Sequence, residues 1–114
     1  MVNYRVMVIV LIFIVFDVVS GLLKAVKEKN LNSTKMREGL LSKIAEVVAV
    51  LLGMASNIVL PMLGIDIGVD FAILIGTYIV IMEVCSVIEN IGAINEQLGA
   101  VLGKVFEKLK QPGE

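Results

Sequence analysis

Long stretches without charged residues limit what this chain can fold into more than any other feature. The clearest runs from Val47 to Ile65, VVAVLLGMASNIVLPMLGI, and holds no charge in 19 positions. That length is typical of a helix that crosses the hydrocarbon core of a bilayer. Hydrophobic residues make up 58% of the 114 positions, and a soluble domain of this size cannot bury so much apolar surface. A soluble helical bundle is the alternative, but its apolar residues would follow stripes and not unbroken runs.

Two further stretches complete three predicted transmembrane helices, at about residues 4–23, 44–64 and 71–90. The first, about 30 Å of helix, is predicted to be an uncleaved signal anchor. A cleaved signal peptide is the alternative, but basic residues follow the apolar core and no small-residue cleavage pattern does. In the second, Pro61 is expected to kink or finish the helix. The third is expected to break near Gly92.

The last part of the chain has a different pattern. Residues 91–114 form a predicted amphipathic helix and cytoplasmic tail, with apolar positions at helical spacing. These positions are Ile91, Ile94, Leu98, Val101, Leu102, Val105, Phe106 and Leu109. Such a helix can lie in the membrane interface or pair with copies of itself. We therefore predict an all-α membrane protein that forms one domain over residues 1–114.

Basic residues are distributed unevenly between the two sides of these helices. Lys and Arg number one at the start of the first span, none in the 64–70 turn and three in the tail. The first connection holds the other six, which we take as the topology-determining residues: Lys24, Lys27, Lys29, Lys35, Arg37 and Lys43. Because cytoplasmic loops are enriched in Lys and Arg, the N-terminus is predicted to lie outside and the C-terminus in the cytoplasm.

Two acidic residues lie inside the predicted spans. In this orientation Asp17 and Glu83 have similar depth, about 5 Å from the bilayer centre toward the cytoplasm. A charge there costs at least about 2.5–3.5 kcal/mol, so neither side chain is expected to face lipid. Helical spacing adds neighbours to each acid and gives eight candidates for a polar lining or for interhelical pairing. They are Asp17, Ser20, Gly21, Lys24, Glu83, Ser86, Glu89 and Asn90.

The residues alone leave three roles open for these acids. They can form satisfied interhelical bonds, including ion pairs with Lys24 or Lys43. They can line the water-filled interior of an assembly, or they can relay a proton or an ion.

Small residues recur every four positions along the second span. Ala45, Ala49, Gly53 and Asn57 form a ridge of the kind along which membrane helices approach closely. The ridge is a candidate for helix packing within one subunit or for oligomerisation between subunits.

Several function classes find no support. The formal net charge of −1 gives no electrostatic basis for binding nucleic acid. The chain has no histidine and a single cysteine, Cys85, so neither a zinc cluster nor a Ser-His-Asp triad is expected. No phosphate-binding glycine loop is present. We predict a protein that is not an enzyme and needs no metal or cofactor.

Three segments of the chain resemble a family of phage holins that includes the toxin-release holins of clostridia. The segments are FDVVSGLLKAVKEKNLNS at 16–33, GLLSK at 39–43 and EVCSVIENIG at 83–92. Positions that match the family's pattern are Asp17, Gly21, Ala25, Asn32, Ser33, Gly39, Lys43, Glu83, Ser86, Glu89, Asn90 and Gly92. Two features depart from it. Ser56 and Asn57 stand where many relatives carry an acid, and the tail after Gly92 is not covered by the resemblance.

The resemblance implies a lysis protein of the bacterial cytoplasmic membrane. Such proteins form homo-oligomers in the lipid bilayer and open lesions that release or activate a cell-wall hydrolase, an endolysin, or release a toxin. Two other functions are compatible with the residues. One is a small ion- or proton-translocating subunit, and the other is a membrane adaptor that binds a partner through its C-terminal helix.

Overall fold

The computed structural model describes residues 4–107, which form four helices. They are α1 (Tyr4–Lys27), α2 (Ser33–Met62), α3 (Phe71–Ile94) and α4 (Glu96–Val105). The first three are long and apolar enough to cross a membrane. The predicted all-α architecture of three transmembrane helices and a shorter C-terminal helix is confirmed.

The helices extend beyond the predicted spans because caps, and not the ends of apolar runs, set their limits. α2 starts eleven residues before the predicted span, at the N-cap Asn32, whose side chain accepts hydrogen bonds from the amides of Thr34 and Lys35 at 2.9 and 3.2 Å. This cap satisfies amide groups that the first turn leaves without partners. α1 likewise continues to Lys27, and Lys29 follows it with a φ of 55°.

Pro61 lies in the last turn of α2, and the helix ends one residue later. Gly64 then adopts a φ of 81°, and the Ile65 amide donates to the Leu60 carbonyl at 3.0 Å. A left-handed residue after the helix, with this bond back to its last turn, is a common helix ending that favours glycine. Pro61 therefore finishes the span, which is one of the two expected outcomes.

The predicted break at Gly92 is wrong. α3 continues through Gly92 to Ile94 and breaks at Asn95, whose side chain accepts a hydrogen bond from the Leu98 amide at 3.1 Å and caps α4. Residues 91–94 thus complete α3 and do not begin the amphipathic helix. Leu109, Lys110 and the rest of the predicted tail beyond residue 107 lie outside the described residues.

α3 is the centre of the arrangement, because it packs against each of the other helices, whereas α1 and α2 contact each other least among the three long helices. The molecule measures 53 × 36 × 19 Å, so its thinnest dimension is about two helix diameters. A small apolar core joins the three long helices: Val10, Ile14, Val50, Met54, Ala72 and Ile79. Most other large apolar side chains of the spans are exposed, which suits a helix layer that lipid surrounds.

Candidate functional site

Lys43 joins all three transmembrane helices through two carboxylates. Its ammonium group donates to Asp17 Oδ2 on α1 and to both carboxylate oxygens of Glu83 on α3, the latter at 2.7 Å. Glu83 is almost completely buried, with 2% of its side chain exposed, and the Lys43 and Asp17 side chains are 16% and 13% exposed. A similar depth is predicted for Asp17 and Glu83 from the sequence, and in the structure one ammonium group bonds to both carboxylates.

Asn90 and Ser20 extend this arrangement toward the α3 C-terminus. The Asn90 amide nitrogen donates to Asp17 Oδ1 and to the Ser20 hydroxyl, each at 3.0 Å. The Ser20 hydroxyl donates in turn to the Asp17 carbonyl at 3.2 Å. Asp17 therefore accepts bonds from both α2 and α3. We refer to Asp17, Ser20, Lys43, Glu83 and Asn90 as the polar cluster.

A third carboxylate lies close to the polar cluster. Glu46 is three residues after Lys43 and therefore on the same side of α2. It is near enough to Glu83 for electrostatic repulsion. Within residues 4–107, its buried Oε1 has no hydrogen-bond partner. Glu83 thus has a second carboxylate beside it as well as the shared ammonium group, and such a cluster is costly in a medium of low dielectric constant.

The other candidate residues on these faces occupy different positions. Gly21 faces Asn90, whose amide nitrogen would lie 3.6 Å from a Cβ at that position. Lys24 is half-buried and lines a cavity beside Glu28. Ser86 is half-buried, and Glu89 is exposed. The structure therefore brings Asp17, Ser20, Glu83 and Asn90 together and leaves Glu89 on the outside.

From the sequence, Lys43 is predicted to be a topology-determining residue and one pairing option for the acids. Glu46 is not among the residues predicted for the site. The spacing from Lys43 to Glu46 was the available signal, since residues three apart share a helix face. The spacing does not reveal the rotation of α2, which turns the face of Lys43 and Glu46 toward α3.

The small-residue ridge of α2 divides into two parts. A Cβ at Gly53 would lie 3.0 Å from backbone atoms of Phe71 and Ala72, so this glycine permits close approach of α2 and α3 within one chain. Asn57 also contacts α3, whereas Ala49 is half-buried and Ala45 is exposed. The C-terminal half of the ridge therefore packs inside the subunit, and Ala45 is available to other molecules.

Asn57 and Asp70 build a cap at the start of α3. The Asn57 side chain donates to Asp70 Oδ1 at 2.7 Å and accepts from the Phe71 amide at 2.8 Å. Asp70 Oδ1 also accepts from the Ile73 amide at 3.0 Å. These bonds, first the Ile73 amide and then Asn57, hold the pKa of Asp70 below its ordinary value of 3.8, because each one stabilises the charged carboxylate.

We expect Asp70→Ala to destabilise the turn between α2 and α3 by about 0.5–2 kcal/mol, the usual cost of losing an N-cap. Because the folded pKa is depressed, the contribution of Asp70 is complete above the unfolded pKa and is lost as pH falls through the folded pKa. Unfolding in detergent, followed by circular dichroism between neutral pH and about pH 3, measures this. Asp66→Ala, in the same exposed turn, is the control. Equal effects of the two variants would contradict the assignment.

The basic residues of the first connection are mostly exposed, and one of them fixes the other end of α3. The Lys27 ammonium donates to the carbonyls of Ala93 and Ile94 at 2.7 and 3.4 Å. A cation there stabilises carbonyl groups that the helix end leaves without partners. Lys29, Lys35 and Arg37 are exposed. Over residues 4–107, no group of three or more His, Cys, Asp and Glu side chains is arranged to hold a metal ion.

Comparison with known proteins identifies the family. A protein-family model, described as a bacteriophage holin family, matches residues 3–111 of the sequence. The match includes most of the tail after Gly92, which the resemblance of the three segments does not cover. No curated protein and no solved structure matches the chain. Since the match spans nearly the whole sequence, the chain belongs to the bacteriophage holin family, a family of phage-lysis membrane proteins and not of enzymes.

Proposed function

We propose that this protein assembles into homo-oligomers in the cytoplasmic membrane of a bacterium and opens lesions that release or activate an endolysin, or release a toxin. Three helices are too few to enclose a wide channel, so lesions of that size need many copies. Membership of the holin family supports this function. The polar cluster is the single structural observation that carries it.

The orientation belongs to the same proposal. The connection between α1 and α2 is rich in lysine, and the turn between α2 and α3 has neither lysine nor arginine. The positive-inside bias then favours a cytoplasmic first connection and C-terminus, with the N-terminus outside. The polar cluster would lie in the cytoplasmic half of the bilayer.

Within one copy, the ion pairs of Lys43 and the bonds of Asn90 satisfy the acids of α1 and α3. This pairing lowers the cost of placing Asp17 and Glu83 in lipid, so a single copy can insert and remain closed. The same residues can be solvated by water if the helices separate in a crowded assembly. We propose that lesion formation exchanges the intramolecular bonds of the polar cluster for contacts with water along the lesion wall.

Expression in a bacterium with and without a co-expressed endolysin tests this function. We expect an abrupt fall in culture turbidity after a delay when both proteins are present, because the hydrolase reaches the cell wall only through lesions. The holin alone should stop growth without rapid clearing. A selective ion subunit would give conductance without release of the hydrolase, and an adaptor would give neither effect. Either result would rule out the proposed lesion.

Asp17→Asn and Glu83→Gln test the role of the polar cluster in the same cultures. Glu89→Gln is the matched control, because Glu89 is an exposed acid of the same helix as Glu83. We expect the first two variants to change the lysis time and the third to leave it nearly unchanged. If all three lyse at the wild-type time, the acids do not line the lesion.

A further inference from the structure

α1 and α2 pack loosely against each other beside the short turn that joins them. Their mutual contact is the smallest among the packed helix pairs. A groove of about 520 Å³ lies between them. Most of its wall is apolar and comes from two turns of each helix: Val18, Leu22 and Ala25 on α1, and Met36 and Leu40 on α2.

Two glycines in the wall leave this space open. A Cβ at Gly39 would meet no heavy atom within 4 Å, and at Gly21 the nearest would be the Asn90 amide nitrogen at 3.6 Å. In other membrane helices such glycines allow two helices to touch. Here they face the groove, and no helix within residues 4–107 fills the space between them, so another molecule can enter.

The two ends of the groove differ in charge. At the inner end Lys43 is already paired with Asp17 and Glu83. At the other end lies Arg37, six residues earlier on α2 and therefore about 9 Å along the helix axis. Arg37 is exposed and forms no ion pair or hydrogen bond within the described part of the chain. The groove thus combines an apolar floor with one available guanidinium group at its mouth.

We propose that this groove binds an anionic phospholipid, with one acyl chain between α1 and α2 and the phosphate on Arg37. An apolar space that opens sideways from a membrane helix pair is filled most favourably by an acyl chain. Guanidinium recognises phosphate through paired hydrogen bonds, and basic sites between helices on the cytoplasmic side bind anionic headgroups. That the lipid comes from the cytoplasmic leaflet rests on the orientation given under the proposed function.

Quenching of a single tryptophan tests the site on the purified full-length chain in phosphatidylcholine vesicles. The chain has no tryptophan, so Leu22→Trp reports from the groove and Leu23→Trp from the neighbouring exposed position. A small fraction of acyl-brominated phosphatidylglycerol or phosphatidylcholine is then added. At Leu22→Trp we expect the brominated phosphatidylglycerol to be enriched about fivefold over the zwitterionic lipid, as one basic residue near the surface would provide. At Leu23→Trp the two lipids should quench equally.

Arg37→Gln should abolish the preference at Leu22→Trp, whereas Lys29→Asn, which removes one charge from the turn, should preserve it. Equal quenching by both lipids at Leu22→Trp, or a preference that survives Arg37→Gln, would overturn the proposal. A second copy in the groove would shield Leu22→Trp from both lipids and would also overturn it. The assay does not depend on lysis, so a chain that lyses cells normally but shows no preference lacks the lipid site and retains the proposed function.

Discussion

Replacing Lys43 with methionine should destabilise the three-helix arrangement by about 3–5 kcal/mol, the largest effect we expect from a single substitution. Methionine keeps most of the side-chain length but removes the charge. Asp17 and the buried Glu83 would then lose their shared cation. A buried charge without a partner costs far more than the pair itself contributes. Denaturant titration of the purified protein in detergent, followed by circular dichroism, measures the loss.

Lys24→Met is the matched control for Lys43→Met. It removes the same charge from a half-buried lysine that does not bond to either acid, and we expect it to change the stability by less than about 1 kcal/mol. The double variant Lys43→Met with Glu83→Gln should recover part of the loss, because a neutral amide tolerates burial better than an unpaired carboxylate. Similar losses for the two lysine variants would show that Lys43 contributes only as one of several basic residues.

Gly53→Ala should also destabilise the fold. Its Cβ would lie 3.0 Å from the Ala72 backbone nitrogen and Cα and from the Phe71 carbonyl carbon. Backbone atoms cannot turn aside as a side chain can, so α2 and α3 would have to separate. Overpacking of this kind costs about 1–3 kcal/mol. The same denaturant titration should show this difference relative to Gly39→Ala.

Gly39→Ala is a suitable reference because the two substitutions gain the same helix propensity, up to about 1 kcal/mol. A Cβ at Gly39 meets nothing within 4 Å, so Gly39→Ala should be neutral or slightly stabilising. If Gly53→Ala were as stable as Gly39→Ala, the close packing of α2 on α3 would not contribute to the fold.

The three spans were predictable from the sequence because bilayer thickness sets a minimum length of apolar helix. Their ends were less predictable. Asn32 caps α2 well before its apolar run begins, and Asn95 breaks α3 three residues after Gly92. Both residues are frequent in caps and turns, but their effect depends on hydrogen bonds that helix periodicity does not reveal. Gly92 does not mark the end of α3. It lies against Gly99 and allows α3 and α4 to pack closely on either side of the bend.

For the site, the cost of charge in lipid was sufficient to select Asp17 and Glu83 as residues that need partners. Helical spacing then added neighbours on each face, and it included both Asn90, which bonds to Asp17, and Glu89, which is exposed. Adjacent positions on a helix lie about 100° apart. Residues at the margin of a helix face therefore have the spacing of that face even where the packed neighbouring helix does not contact them.

Apolar length and the distribution of basic residues are properties of the linear chain, and they were enough to predict a three-span membrane protein. Which residue pairs with each acid depends on how the helices are rotated about their axes and how far apart they lie. The central position of α3 and the close contact of α2 with α3 at Gly53 together place Lys43 between Asp17 and Glu83. These arise from side-chain packing between segments far apart in sequence, which a helix-face pattern does not contain.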